Sequence, residues 1–164
     1  MKEFPKLKNN NEMYTPEIAM DYIMKFLPKD WIYWECCYGQ GHMAKTLSKN
    51  NFNVIGYRDL DCLTNEPAGS YDCIITNPPF NGNKKFVKRA IELNKPFVFL
   101  LRLEHLGGVE ACRLLQNLDI QIVIPEKRIN YIKQNNEKSA GSPFHSIFLT
   151  YKLKLPKQIN YIKL

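Results

Sequence analysis

A rigid polar segment, Asn77-Pro78-Pro79-Phe80, follows the apolar run 71–76. The Asn77 side chain carries a carbonyl that accepts hydrogen bonds, and Pro78 has a main-chain carbonyl but no N–H. Proline also restricts the residue before it, which holds the two oxygens in fixed places. With the aromatic face of Phe80, this set predicts a clamp for a flat exocyclic amine. An Asn-Pro turn without a chemical role is the alternative, and the segment by itself does not decide between them.

A second candidate group lies in the segment ECCYGQG, which joins a predicted strand to a predicted helix. The glycines Gly39 and Gly41 would let a bound ligand approach the backbone closely. The third glycine of the dinucleotide-binding motif is missing, which argues against a pyrophosphate cofactor. Glu35, at the end of the strand, would repel phosphate but attract an amino group.

Two acidic residues, Asp59 and Asp61, come just after the next predicted strand. A carboxylate at that position can accept hydrogen bonds from ribose hydroxyls. Acidic residues are also common in solvent-exposed turns, and for either residue alone the two interpretations have equal weight.

The elements that must position these residues alternate between strands and helices. A helix is predicted with Thr15 as its N-cap and Pro16 as its first residue, ending before Pro28. Further helices are predicted after the glycine turn, after the proline pair and from residue 109. Apolar runs predict strands at 31–35, 52–57, 71–76, 97–101, 120–124 and 145–153, with a short one at 128–132.

This alternation predicts an α/β fold with a mainly parallel twisted sheet, helices on both faces and an antiparallel C-terminal strand. In such sheets, ligands bind at the carboxyl ends of the strands. The turns that follow Glu35, Tyr57 and Thr76 are all expected there, so three separate sequence features should meet in one crevice.

Length and composition fit a single domain spanning residues 1–164, without a separate recognition domain. Residues 1–13 are predicted to be a flexible arm, 133–143 a mobile loop and 154–164 a basic tail. No apolar run is long enough for a membrane span or a signal peptide, so an intracellular protein is expected. The net charge of +7 favours a polyanion such as nucleic acid, although many lysine-rich proteins bind none.

The five cysteines show no C-x-x-C spacing, which predicts reduced thiols and no metal site. The neighbours Cys36 and Cys37 cannot easily form a strain-free disulfide with each other.

The combination resembles the adenine-N6 DNA methyltransferases that use S-adenosylmethionine. The motifs that carry the resemblance are YTP at 14–16, ECCYGQG at 35–41, NPPF at 77–80, and IPEKRINYI followed by GSPFHSIFLTY near the end. The last pair is similar to the closing part of small phage-type members. Cys36 stands where a proline is common in that family.

The resemblance implies a Rossmann-like methyltransferase fold, S-adenosylmethionine as cofactor and no metal. Asn77 and Pro78 would grip the target amine, Pro79 would complete the catalytic motif, and Phe80 would stack on a flipped base. The donor would be bound by residues from three segments, with either Asp59 or Asp61 holding its ribose: Tyr14, Thr15, Pro16, Glu35, Cys36, Gly39, Gly41, Asp59 and Asp61.

Family members that read DNA sequence usually carry an added recognition region, and this chain has little room for one. Specificity could be low, could come from a partner chain, or could reflect a single-stranded or RNA substrate. Methylation of RNA adenine or of a protein glutamine is a second hypothesis. A non-catalytic subunit that binds nucleic acid is a third. DNA is favoured because Phe80 stands where the glutamine methyltransferases have tyrosine.

Overall fold

Strands and helices alternate along most of the chain, as the apolar patterns predict. The computed structural model describes residues 13–133, 135, 137–139 and 141–164. The helices are α1 (Glu17–Met24), α2 (His42–Lys49), α3 (Asn83–Leu93) and α4 (Val109–Leu115), with a 3-10 turn at Leu103–Leu106. The strands are β1 (Ile32–Glu35), β2 (Asn53–Gly56), β3 (Cys73–Thr76), β4 (Phe97–Arg102), β5 (Ile120–Pro125), β6 (Ser146–Tyr151) and β7 (Ile159–Ile162).

The strands form one mixed sheet in the order β2-β1-β3-β4-β6-β5-β7. Strands β2, β1, β3 and β4 are mutually parallel, whereas β6 runs antiparallel to both of its neighbours. The predicted mainly parallel sheet with an antiparallel strand near the C-terminus is therefore confirmed.

Each face of the sheet is covered by its own apolar cluster. Strand β4 shows the alternation: Val98 and Leu100 belong to one cluster, and Phe97, Phe99 and Leu101 belong to the other. Helices α1 and α2 pack on the first face and α3 packs on the second. Since successive strand residues point to opposite faces, a buried strand must be apolar throughout, as the run FVFLL is.

Helix α1 begins one residue later than predicted. Pro16 is extended, with φ −73° and ψ 154°, and caps the helix without a side-chain hydrogen bond. Thr15 is buried and does not act as the N-cap. A residue before proline is pushed towards extended conformations, and Tyr14 pairs with Ile132 in an isolated antiparallel bridge. Both effects keep this segment extended up to Pro16.

The prediction that the strand at 145–153 is the last one was wrong, because β7 lies in the predicted basic tail. It pairs in parallel with β5, from Ile122 opposite Ile159 to Pro125 opposite Ile162. Only Asn160 and Ile162 are buried in it, and the Asn160 side chain donates to the main-chain oxygens of Ile122 and Lys157. Two inward residues among lysines are too weak a pattern to reveal an edge strand.

One further predicted strand is not formed, and two predicted segments lie partly outside the described residues. The short strand expected at 128–132 is reduced to the isolated bridges of Ile132 with Tyr14 and Lys138. Residues 1–12 of the predicted arm, and Gln134, Asn136 and Ala140 of the predicted mobile loop, lie outside the described residues. Among the helices that are described, none has the length and apolar character needed to cross a membrane.

Candidate active site

The predicted crevice lies at the carboxyl ends of four parallel strands. Glu35, Gly56, Thr76 and Arg102 are the last residues of β1, β2, β3 and β4. Each is followed by a turn that carries polar residues, and the glycine turn and the Asn-Pro-Pro turn start from the adjacent strands β1 and β3. Sheet topology thus brings together two motifs that are some forty residues apart in the sequence.

A small cavity of about 40 Å³ lies between these two turns. It is lined by Met13, Tyr14, Thr15, Glu35, Cys37, Tyr38, Gly39, His42, Met43 and Asn77. Five of the residues predicted from sequence are therefore brought together here, namely Tyr14, Thr15, Glu35, Gly39 and Asn77. Their roles in binding stay predictions. Of the three turns predicted to meet, those after Glu35 and Thr76 line this cavity and the turn after Tyr57 does not; residues 13–15 line it as well.

Glu35 is a buried carboxylate, with only 3% of its surface exposed. Its Oε2 atom accepts a hydrogen bond of 2.8 Å from the main-chain N–H of Ala44, in the first turn of α2. Burial raises the pKa of Glu35 to about 8, and the Ala44 hydrogen bond offsets this rise in part. A cationic group in the cavity would stabilise the ionised form.

Asn77 presents an oxygen without a partner. Its Oδ1 atom is buried and accepts no hydrogen bond from any described residue. Its Nδ2 atom donates a hydrogen bond of 3.4 Å to the main-chain oxygen of Met13. Pro78 is buried and Pro79 is exposed. Buried polar atoms without partners are uncommon because each lowers the stability of the folded protein by roughly 1–3 kcal/mol. The cavity therefore holds an acceptor that a ligand could satisfy.

Residues 13–15 close the cavity on one side. The main chain of Tyr14 exchanges two hydrogen bonds with Ile132, at 2.8 and 3.0 Å. The Tyr14 ring stacks on His42, with ring centroids 4.6 Å apart and an angle of 9° between planes. Burial and the nearby Lys45 lower the pKa of His42, which favours its neutral form. These contacts hold the YTP segment over the site.

Phe80, the aromatic residue of the predicted clamp, lies in an aromatic cluster. Its ring stands edge-on to Tyr131 and Phe144, at centroid distances of 5.9 and 5.3 Å. The guanidinium of Arg102 lies 4.2 Å from the centre of the Phe80 ring and 4.1 Å from that of Phe144. Base stacking on Phe80 stays a prediction, and the stacking position near it is taken by a planar cation.

A wider groove of about 420 Å³ lies beside β2 and α2. Its lining includes Tyr38, Lys45, Ser48 and the segment 54–57, which spans the end of β2 and the first residue after it. Tyr38 lines both this groove and the small cavity, and its ring packs against two glycines. A Cβ atom added to Gly56 would lie 2.2 Å from the ring, and one added to Gly41 would lie 2.7 Å from it.

We expect Gly56→Ala to reduce the free energy of unfolding by about 1–3 kcal/mol, because the Tyr38 ring must leave its place. The loss should shrink in a Tyr38→Ala background, which removes the clashing ring. Urea denaturation of both single variants and the double variant measures this coupling. Gly107→Ala is the control, since the one described atom that a Cβ there would meet is the Glu104 oxygen, at 3.5 Å. If the losses of unfolding free energy at positions 38 and 56 simply add in the double variant, the Tyr38 ring is not what excludes a side chain at position 56.

The remaining predicted donor residues lie outside the lining of the small cavity. Pro16 caps α1, Gly41 caps α2 with φ +74°, and Cys36 is buried next to Cys62. Asp59 and Asp61 are exposed in the turn after β2, and Asp61 Oδ1 accepts a hydrogen bond from Leu63 N–H. Which of the two acids holds a ribose stays open.

Five lining residues were missed from the sequence: Met13, Cys37, Tyr38, His42 and Met43. Four of them are adjacent to predicted residues in the YTP segment or the glycine turn, and Met43 lies two residues beyond Gly41. Including every residue of the turn and the first residues of α2 would have found four of them, since both lie at the carboxyl end of β1.

The basic residues that follow the clamp are partly paired with acids. Lys84 forms an ion pair of 3.2 Å with Glu110, and Lys88 lies 4.0 Å from Glu92. Lys85 is exposed, and Arg89 is half-buried. These residues could contact a phosphate backbone or form an ordinary solvated surface, and their ion pairs do not decide between the two.

No protein-family model matches the sequence, and no curated protein matches it. Solved structures are nevertheless similar in fold. One is assigned to the class I S-adenosylmethionine-dependent methyltransferases of Listeria monocytogenes, with a TM-score of 0.57 and 15% identity, covering 98% of this chain and 68% of that one. Another is described as an S-adenosylmethionine-dependent O-methyltransferase of Thermotoga maritima, with a TM-score of 0.55 and 12% identity over 88% and 68% of the two chains.

A protein described as a hemolysin of Lactococcus lactis is also similar, with a TM-score of 0.56 and 10% identity over 88% of this chain and 91% of that one. At these identities the likeness concerns the fold. The chain has the Rossmann-like fold of the class I methyltransferases, with helices on both faces of a mixed sheet.

Proposed function

We propose that this chain is an S-adenosylmethionine-dependent methyltransferase that transfers a methyl group to an exocyclic amine, the N6 of adenine in DNA. The observation that carries the proposal is the Oδ1 atom of Asn77, which has no hydrogen-bond partner among the described residues, in a residue that lines the same small cavity as the buried Glu35. One residue can accept a hydrogen bond from an amine, and the other can balance a cationic donor.

The proposed cofactor is supported by the fold and by the chemistry of the cavity. S-adenosylmethionine carries a positive sulfonium and an ammonium group, and when bound it supplies an electrophilic methyl group. Glu35 would face its positive charge, while Thr15 and Gly39 would border it. The cavity of about 40 Å³ is far too small for the whole molecule. The neighbouring groove could take the nucleoside part once the Tyr38 ring moves.

On the acceptor side, Asn77 Oδ1 and the Pro78 main-chain oxygen would each accept one N–H of the amine. The nitrogen lone pair of such an amine is delocalised into the ring, which makes it a weak nucleophile. Two fixed acceptors would favour a tetrahedral nitrogen and direct its lone pair out of the ring plane. This combines electrostatic preorganisation with positioning.

Phe80 and Arg102 would receive the base. A nucleobase flipped out of a duplex needs a flat surface to stack on, which Phe80 supplies. The Arg102 guanidinium now lies 4.2 Å from the centre of that ring, so it would have to move aside. A displaced guanidinium could then bind a backbone phosphate, which would offset the lost cation–π contact.

Two grounds favour a nucleic acid such as DNA over a protein acceptor. The net charge of +7 suits a polyanion, and phenylalanine at position 80 favours a planar base. An RNA adenine or a protein glutamine presents a similar amine, so these are the alternatives that the experiment must separate.

Incorporation of a labelled methyl group from S-adenosylmethionine tests the proposal directly. Unmethylated DNA, single-stranded DNA, RNA and a glutamine-containing protein extract should be compared under equal conditions. We expect label in DNA and little in the protein fraction. Label mainly in RNA or protein would change the substrate class. No incorporation into any fraction, despite measurable donor binding, would contradict an amine methyltransferase.

A further inference from the structure

Three thiols that are separated in the sequence meet beside the glycine turn. Cys36 and Cys37 follow β1, and Cys62 lies in the segment between β2 and β3. Their Sγ atoms all lie within 4.8 Å of one another, and those of Cys36 and Cys37 are 3.9 Å apart. Cys36 and Cys62 are buried, while Cys37 is half-buried and also lines the small cavity.

The turn after β1 explains how two adjacent residues contribute to one cluster. In an extended strand, successive side chains point to opposite faces, which would separate the two sulfur atoms. Here the chain leaves the strand after Glu35, and the Cys37 N–H donates a hydrogen bond of 3.2 Å to Thr76 Oγ1. That bond anchors the turn to the end of β3.

The distance between the Cys36 and Cys37 sulfur atoms suits a metal ion, and the Cys62 sulfur lies within 4.8 Å of both. A zinc–thiolate bond of about 2.3 Å places two thiolates of a tetrahedral site about 3.8 Å apart, and two of a trigonal site about 4.0 Å apart. The 3.9 Å between Cys36 and Cys37 falls between these values. A disulfide, in contrast, needs a sulfur–sulfur distance of about 2.05 Å.

The surroundings favour a soft metal ion. The three cysteines belong to an apolar cluster that also contains Trp34 and Tyr71. Soft thiolate ligands in an apolar shell select ions such as Zn²⁺ over Mg²⁺ or Ca²⁺. Three protein ligands also leave a fourth position for water or another small ligand.

We propose that Cys36, Cys37 and Cys62 form a thiolate site for a soft divalent metal ion of the Zn²⁺ type. The prediction of no metal site rested on the absence of C-x-x-C spacing in the sequence. Spacing cannot reveal a site whose third ligand comes from another segment, as Cys62 does.

The site would have a structural consequence for the proposed donor pocket. The segment 57–72 has no helix or strand, and it carries Asp59 and Asp61. A metal ion bound by Cys62 would fasten this segment to the glycine turn. Metal binding would then fix the position of the acids relative to the small cavity, which Cys37 shares.

Co²⁺ substitution tests the site, because cobalt bound to thiolates gives a charge-transfer absorption that free cobalt lacks. Reduced, metal-free protein should bind one Co²⁺ per chain with this absorption, and Zn²⁺ should displace it. The control variant Cys112→Ser should behave in the same way, since Cys112 is exposed on α4. Cys62→Ser should lower Zn²⁺ affinity by at least about 100-fold, because even changes to residues that only orient a metal ligand typically cost about 10–100-fold.

Cys37→Ser provides a second variant in case Cys62→Ser fails to fold, because Cys37 is only half-buried. It should lose thiolate–cobalt absorption while keeping the circular dichroism spectrum of the unchanged protein. The proposal is overturned if the reduced protein binds no stoichiometric Co²⁺ or Zn²⁺. It is equally overturned if folded Cys37→Ser and Cys62→Ser keep the full absorption.

Discussion

Replacing Asn77 by Ala is expected to lower kcat for methyl transfer by at least about 100-fold, the size of effect seen when one preorganised hydrogen-bonding group is removed. Donor affinity should change little, because Asn77 is proposed to hold the acceptor amine. Stability should change little, because the Oδ1 atom that is removed has no partner among the described residues and the hydrogen bond from Nδ2 to the Met13 oxygen is long, at 3.4 Å. The measurements are single-turnover methyl transfer, donor binding by calorimetry and urea denaturation.

Asn53→Ala is the matched control, since Asn53 is an exposed residue at the start of β2, at the opposite end of that strand from the site. It should keep full activity. Asn77→Asp should retain more activity than Asn77→Ala, because it keeps an oxygen acceptor. If Asn77→Ala keeps activity within threefold of the unchanged protein, Asn77 does not hold the acceptor amine as proposed. An equal loss of donor binding would point to a structural role instead.

The second large effect is expected at Glu35, in the pH dependence of stability. Its pKa is about 8 in the folded protein and 4.5 in an unperturbed chain. Between these values the folded protein holds a proton that the unfolded chain has released. The stabilisation from this proton is complete below pH 4.5 and is lost as the pH rises through about 8.

Glu35→Gln should therefore become progressively more stable than the unchanged protein as the pH rises from 5 to 8. The difference should reach the order of 4 kcal/mol, from 1.36 kcal/mol per pKa unit, and should level off above that range. Urea denaturation in a chelating buffer, which keeps metal from the nearby thiols, measures it. Glu104→Gln, at an exposed position, should show no such trend. A constant difference between pH 5 and 9 would contradict a buried protonated Glu35.

The fold was predictable because its main elements are strongly patterned. The run FVFLL is short and rich in aromatic and β-branched residues, which favours a buried strand over a buried helix segment, and it forms β4. The carboxyl-end rule for parallel sheets then predicts that the turns after Glu35, Tyr57 and Thr76 share one edge of the sheet. Residues of the first and third line the small cavity, and those of the second do not.

The missed features depend on contacts between distant segments. Strand β7 has two buried residues and is held by pairing with β5, which its own sequence does not encode. The contact of Arg102 with Phe80 and Phe144, and the meeting of Cys62 with Cys36, arise only when separate loops meet at the edge of the sheet. Residue types indicated the chemistry of the clamp, but not what surrounds it.

The position of the transferred methyl group is the most direct test of the central claim, that Asn77 and Pro78 present an exocyclic amine to the donor. Unmethylated DNA should be incubated with the protein and S-adenosylmethionine carrying a deuterated methyl group, digested to nucleosides and analysed by mass spectrometry. The account predicts deuteromethyl N6-methyladenine, absent with Asn77→Ala. A methyl group found only on an oxygen, a carbon or a ring nitrogen would contradict it.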